Sequence, residues 1–268
     1  MPYVKTNGIT LHYTRTGGDK PPIVLCHGIM DSGACWPRVA PVLSQTHDLI
    51  MLDARGHGLS DAPASGYTWQ ALAEDLAGAI TALALTRPGI IGHSMGAGTA
   101  AVAAARYPDR VGFLVLEDPP WREAGSRAVQ AVVSDYRQRI VDRKNMTMQQ
   151  MIEYTSRRDP GLARWDRSEF PSWSEAKNRV DLNVAQLLTG QAASFTEIAA
   201  AIACPTLLIA ADPARGGIVT PDVARQAAAI NPRIQVVTIP DTGHNIRRES
   251  FEQYIAAVTA FLAGLPHA

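Results

Sequence analysis

Short, unbroken apolar runs punctuate the first half of the chain and constrain its fold more than any other feature. Residues 23–26 read Ile-Val-Leu-Cys between Pro21-Pro22 and Gly28, and comparable runs cover residues 48–52, 89–92 and 111–116. A strand with one wet face alternates apolar and polar residues, whereas a strand covered on both faces is apolar throughout, as parallel sheets require. Helical patterns separate these runs. Leu72, Leu76, Ile80 and Leu83 recur along residues 69–85, and residues 94–107 are rich in Ala and end before Pro108. Strands at 205–210 and 234–239 and a closing helix at 250–262 continue the alternation, which predicts an α/β fold with a mostly parallel sheet. An Asn7-Gly8 pair between strand-like residues 3–5 and 10–14 predicts an N-terminal hairpin.

The pattern changes after Pro119-Pro120. Residues 121–194 carry no clear strand and many charges, with helical patterns at 146–154 and 176–188. The expected organisation is a core of residues 1–120 and 195–268, interrupted by a helical insertion at 121–194. The aromatic set of that insertion (Trp121, Tyr136, Tyr154, Trp165, Phe170 and Trp173) fits a lid over a pocket and a small core of its own equally well.

Composition removes several function classes. With 46% hydrophobic residues the chain of 268 residues has the apolar surface for a core. Its 25 basic and 25 acidic residues cancel, and no long basic run exists, which argues against a nucleic-acid partner. No apolar run approaches the ~18 residues of a membrane span, and the first eight residues lack the apolar stretch of a signal peptide. Cys26, Cys35 and Cys204 are scattered, with neither metal-ligand nor disulfide spacing. The expectation is a cytoplasmic protein, monomer or homodimer, acting on a small molecule without metal or cofactor.

Gly92-His93-Ser94-Met95-Gly96 lies between the apolar run at 89–91 and the following helix. A tight strand-to-helix turn there lifts Ser94 to the top of the sheet, small neighbours avoid clashes, and helix-start amides favour developing negative charge. Ser94 is therefore the candidate nucleophile. Its candidate base is His244, chosen from His12, His27, His47, His57, His93, His244 and His267. His244 follows the strand at 234–239, and a parallel sheet gathers all strand C-termini on one edge, which closes a separation of 150 residues (244 − 94). His27-Gly28-Ile29 follows the first buried strand, so the Ile29 amide can join that of Met95 as an oxyanion hole. His27 itself reads as structural. The run from Asp53 to Asp61 reads as a tight turn tied by Asp, Arg and His to nearby backbone. Met30, Trp121 and Ile246 are candidates for lining the substrate cleft.

In this order and spacing, His27-Gly28, Asp53-x-Arg-Gly-His-Gly-x-Ser60, Gly92-His-Ser-Met-Gly96 and Gly243-His244 resemble the α/β-hydrolase fold superfamily over nearly the whole chain. The resemblance implies an eight-stranded, mostly parallel sheet with helices on both faces and a helical cap formed by the insertion. It also implies a Ser-His-acid triad. In most of the family the acid follows the strand here at 205–210, but that loop reads Asp212-Pro-Ala-Arg-Gly-Gly-Ile218-Val219, with no acid just before the Ile-Val. Haloalkane dehalogenases and some lactone-cleaving relatives place the acid after the preceding strand, where this chain has Glu117-Asp118. Asp118 is preferred, with Asp212 and then Glu117 as alternatives. Ser94 at the elbow excludes the Asp-nucleophile subclass. The resulting expectation is a serine hydrolase of a carboxylic ester or lactone, small to medium and largely apolar. Carbon–carbon bond hydrolysis, cofactor-free perhydrolysis and a non-enzymatic ligand receptor stand as alternatives.

Overall fold

In a computed structural model that describes residues 2–122, 129–189 and 194–265, the apolar runs form one eight-stranded sheet. The strands are β1 (Tyr3–Thr6), β2 (Ile9–Arg15), β3 (Pro22–Cys26), β4 (Asp48–Leu52), β5 (Gly89–His93), β6 (Phe113–Glu117), β7 (Thr206–Ala210) and β8 (Ile234–Thr238). Their spatial order is β1-β2-β4-β3-β5-β6-β7-β8. The pairs β1–β2 and β2–β4 are antiparallel and the remaining five are parallel. The hairpin between β1 and β2 turns on Asn7 (φ 47°) and Gly8 (φ 76°), the two positive φ values that a two-residue turn of matching twist demands.

The helices are α1 (Val39–Leu43), α2 (Trp69–Ala82), α3 (Met95–Arg106), α4 (Val129–Arg143), α5 (Met148–Ser156), α6 (Phe170–Arg179), α7 (Phe195–Ala201), α8 (Pro221–Ile230), α9 (Ile246–Glu249) and α10 (Phe251–Ala263). Both sheet faces are covered, which explains the unbroken apolar runs. Along β3, Val24 and Cys26 enter one core with α2, α3, α7 and α8, whereas Ile23 and Leu25 enter another with Trp36, Tyr254 and Val258. The Ala- and Gly-rich α3 is packed tightly: a Cβ on Gly96 would stand 2.0 Å from the Cys26 carbonyl oxygen. This places the start of α3 directly behind the end of β3.

The segment between β6 and β7 holds α4, α5 and α6 with short 3-10 turns, and then α7. Positions 123–128 and 190–193 of the expected insertion lie outside the described residues. The helix expected at 146–154 is present as α5, but the one expected at 176–188 is broken. Val180 is extended, the Asp181 amide donates to the Gly56 carbonyl at 2.8 Å, and a 3-10 turn follows at Leu182–Thr189. A tertiary bond to the Asp53 loop thus overrides local helical propensity. The aromatics divide. Trp165, Phe170 and Trp173 stack with Met151 and Leu162 as a small local core, while Tyr136 joins Met30 and Met95 where this segment meets the sheet domain.

Candidate active site

Ser94 sits between β5 and α3 with φ 51° and ψ −113°, a strained conformation for a residue with a side chain. Its own amide is held by the Glu117 carbonyl at 2.9 Å, which ties the bend to the end of β6. Small neighbours are needed here. A Cβ on Gly28 would lie 2.6 Å from His93 Nδ1 and 3.5 Å from Ser94 Cβ, so the loop after β3 presses directly against the bend.

That loop carries Ile29 and Met30. The Asp31 amide closes a turn onto the Gly28 carbonyl at 3.0 Å, and Met30 takes a positive φ of 65°. Two buried histidines lock it. His27 Nε2 accepts from the Ala54 amide at 3.0 Å and Nδ1 donates to the Gly28 carbonyl at 2.9 Å. His57 Nε2 accepts from the Met30 amide at 3.2 Å and Nδ1 donates to the Arg55 carbonyl at 2.9 Å. Burial lowers the pKa of both rings, that of His57 to about 3, so both stay neutral and keep these tautomers. Asp53 accepts from the Gly33 and Leu59 amides at 2.6 and 2.9 Å, as a turn-tying residue should. Among the described residues, neither the Ile29 amide nor the Met95 amide has an acceptor. Two donors beside the serine are thus free for a ligand oxygen.

Asp118 has φ 43° just past β6 and is fully buried. One carboxylate oxygen lies 2.6 Å from His244 Nδ1. The carboxylate also accepts from the Ile218 amide at 2.9 Å and the Val219 amide at 2.9 Å. The loop after β7, which lacks an acid at its usual position, therefore supplies the N–H groups that solvate one coming from β6. Asp212 instead accepts from the Ala214 amide at 2.9 Å and caps a 3-10 turn. Glu117 points the other way, to the Arg247 amide at 2.9 Å and guanidinium at 3.2 Å. An acceptor-only carboxylate keeps the proton on His244 Nδ1 and leaves the Nε2 lone pair able to accept a proton.

His244 is anchored beside the bend. Its carbonyl accepts from His93 Nε2 at 3.0 Å, and the two rings lie 4.8 Å apart. Ser94 Oγ and His244 Nε2 do not hydrogen-bond to each other in this structure. Such contacts are often long until substrate is seated.

The expected cleft residues separate. Met30 lies at the junction of the two structural layers, with Met95 and Ile140. Ile246 is 0% exposed and packs in the core with Trp36, Val39 and Tyr254 instead of lining a cleft, because α9 docks on α10, which shares that core. Trp121 stacks on Phe195 at 6.0 Å and joins the core under α3 and α7. Two charged residues carry no motif and escape a reading by pattern. Arg143 of α4 is 6% exposed, contacts Met30 Sδ at 3.7 Å and leaves its Nε without a partner. Among the described residues no carboxylate pairs with it, its guanidinium lies 5.3 Å from the centre of the Tyr154 ring, and burial lowers its pKa. Lys177 of α6 is equally buried and reaches the same loop.

Comparison with known families agrees with this geometry: the model of the alpha/beta hydrolase fold matches residues 21–247. The chain belongs to the alpha/beta hydrolase fold family. N-formylmaleamate deformylase of Pseudomonas putida is 32% identical over 97% of this chain and 95% of its own length. 2-(Acetamidomethylene)succinate hydrolase of Mesorhizobium japonicum is 29% identical over 95% of this chain and 92% of its own. Among solved structures, E-2-(acetamidomethylene)succinate hydrolase superposes with a TM-score of 0.82 at 23% identity, covering 98% of both chains. These relatives of the alpha/beta hydrolase chain are hydrolases. No described helix is long and apolar enough to cross a membrane.

Proposed function

We propose that this chain is a serine hydrolase that cleaves a small, carboxylate-bearing N-acyl compound through an acyl-enzyme. The observation that carries the catalytic reading is the 2.6 Å contact between Asp118 and His244 beside the strained Ser94. Ser94 Oγ attacks the acyl carbon as His244 Nε2 takes its proton. The Ile29 and Met95 amides receive the oxyanion, and Asp118 stabilises the imidazolium. Collapse breaks the C–N bond, and His244 returns the proton to the leaving nitrogen. Water then repeats the sequence on the acyl-enzyme, releasing the acid and restoring the Ser94 hydroxyl. An ester or lactone would follow the same steps with an oxygen leaving group.

The substrate class rests on Arg143. Among the described residues this buried guanidinium has no counter-ion, which is costly, and a ligand carboxylate at the boundary of α4 and the Ile29 loop would offset that cost. This favours an anion over the largely apolar ester or lactone expected from the sequence. The two relatives named above carry names of carboxylate-bearing N-acyl compounds, which supports the same class. In this reading α4, α5 and α6 form a cap over the cleft. The test is turnover of N-formylmaleamate against its uncharged methyl ester. Faster hydrolysis of the acid supports the assignment, and preference for the ester rejects it.

A further inference from the structure

A buried network of three cations and three carboxylates ties the helical cap to the loop that carries Ile29. Lys177 Nζ on α6 donates to the Met30 carbonyl at 2.9 Å and to Asp31 Oδ1 at 2.6 Å. Asp31 also takes Arg247 at 3.3 Å and Arg248 at 3.2 Å. Arg247 continues to Glu117 at 3.2 Å, the residue before Asp118, and Arg248 continues to Glu169 at 3.1 Å, at the start of α6. All six are nine-tenths or more buried. The network therefore touches the loops of Ile29, Asp118 and His244, and two of its members come from the cap.

Within it Lys177 has a distinct job. Asp31 keeps two guanidinium partners if the ammonium is lost, but among the described residues only Lys177 donates to the Met30 carbonyl. His57 holds the amide of Met30 and Lys177 holds its carbonyl, so the residue with positive φ is gripped at both ends. The free Ile29 amide lies one residue before, inside the same turn. A shift of the turn by a fraction of an ångström would misdirect that N–H, whose worth depends on being fixed before charge develops.

We propose that Lys177 is a positioning residue for the oxyanion hole, so that docking of α6 and correct aim of the Ile29 amide are one event. This inference rests on the serine-hydrolase reading above. The ammonium is held among Asp31, Cys35, Arg248 and Arg143, with the buried His27 and His57 of the facing loops close enough to feel its charge, Trp173 of its own helix 5.4 Å away, and Arg247 and Glu169 one contact further. Burial lowers its pKa to about 8, with Asp31 opposing that shift. Against the opposing effect of burial, Asp31 raises the pKa of Arg248, and Cys35 is pushed above its usual value by burial. Loss of the Lys177 proton therefore weakens the grip on Met30 within an accessible pH range.

The test measures kcat and KM for 4-nitrophenyl acetate from pH 6 to 10 in the wild type, Lys177→Arg and Lys177→Met, beside fluorophosphonate labelling of wild-type Ser94 and thermal melts. Wild-type kcat should fall through a midpoint near 8, towards the Lys177→Met level. Lys177→Arg should hold its kcat above that pH, and Lys177→Met should lose about tenfold to a hundredfold in kcat with KM within about threefold, less than deletion of an oxyanion donor outright. An alkaline limb that persists unchanged in Lys177→Arg overturns the inference, as does a Lys177→Met kcat equal to wild type. If Lys177→Met melts out, the wild-type and Lys177→Arg profiles decide alone. Wild type that neither labels nor turns over would defeat the serine-hydrolase reading, whereas labelled, active wild type with indifferent Lys177 variants defeats this inference only.

Discussion

The buried carboxylate of Asp118 lies 2.6 Å from Nδ1 of His244, although 126 residues separate them in the chain. Two backbone amides from the loop after β7 donate to that carboxylate. Replacing Asp118 by Asn removes the acceptor that fixes the imidazole tautomer. The expected loss in kcat on a nitrophenyl ester is about 10³- to 10⁴-fold, the scale seen when a triad aspartate is neutralised. Asp212→Asn should leave kcat within about twofold and lower stability by at most ~1 kcal/mol, as befits a cap. Steady-state kinetics and melts on both variants check this, and a larger kinetic loss from Asp212→Asn would reverse the assignment.

Arg143 makes a prediction of opposite sign in two measurements. Arg143→Met keeps the volume near Met30 but removes a buried charge that has no counter-ion among the described residues, so the melting temperature should rise. Activity on N-formylmaleamate should fall by about 2 kcal/mol in kcat/KM, roughly thirtyfold, while 4-nitrophenyl acetate is hydrolysed within about threefold of wild type. Equal losses on the charged and the neutral substrate would show that Arg143 only supports packing.

Buried neutral histidines set the acid limit of the fold. The folded pKa of His57 is about 3 and that of His27 is also lowered, both chiefly by burial. For a base with a depressed folded pKa, the unfolded chain binds more protons between the two values. Stability is thus present above the unfolded value of ~6.5 and is lost as pH falls, by about 1.4 kcal/mol per pH unit for each such histidine. Chemical denaturation between pH 7 and 4.5 should show this slope, and His57→Gln should lower it. A variant slope equal to that of wild type would contradict the account.

At Gly96 the backbone leaves no room. A Cβ there would meet the Cys26 carbonyl at 2.0 Å, with no flexible side chain to yield. Gly96→Ala should cost at least the ~1–3 kcal/mol of an overpacked core and displace the Met95 amide. Denaturant titration measures the first effect and loss of fluorophosphonate labelling the second; a fully stable, reactive variant would mean that α3 packs less closely than described.

How much of this was legible beforehand follows from what each signal depends on. Runs such as 23–26 and 89–92 are apolar because both sheet faces are covered, a property of the whole fold that is written into each strand. The bend at Ser94 and the loop at His244 are local and readable from Gly spacing and strand ends. Ile246 could not be placed, because a residue one step past a catalytic loop points into the cleft or into the core according to how α9 docks. The break after Arg179 depends on a bond from Asp181 to Gly56, which no periodicity encodes. Arg143 and Lys177 belong to the polar content of residues 121–194, and charge pattern alone reads such residues as solvated. Their burial comes from packing of α4 and α6 on the Ile29 loop, which is visible only in three dimensions.

The most direct measurement is mass spectrometry of the folded protein after reaction with a fluorophosphonate. The account predicts a single adduct on Ser94, absent in Ser94→Ala and slowed in His244→Ala. A folded wild type left unmodified, or an adduct on another residue that survives Ser94→Ala, would contradict it.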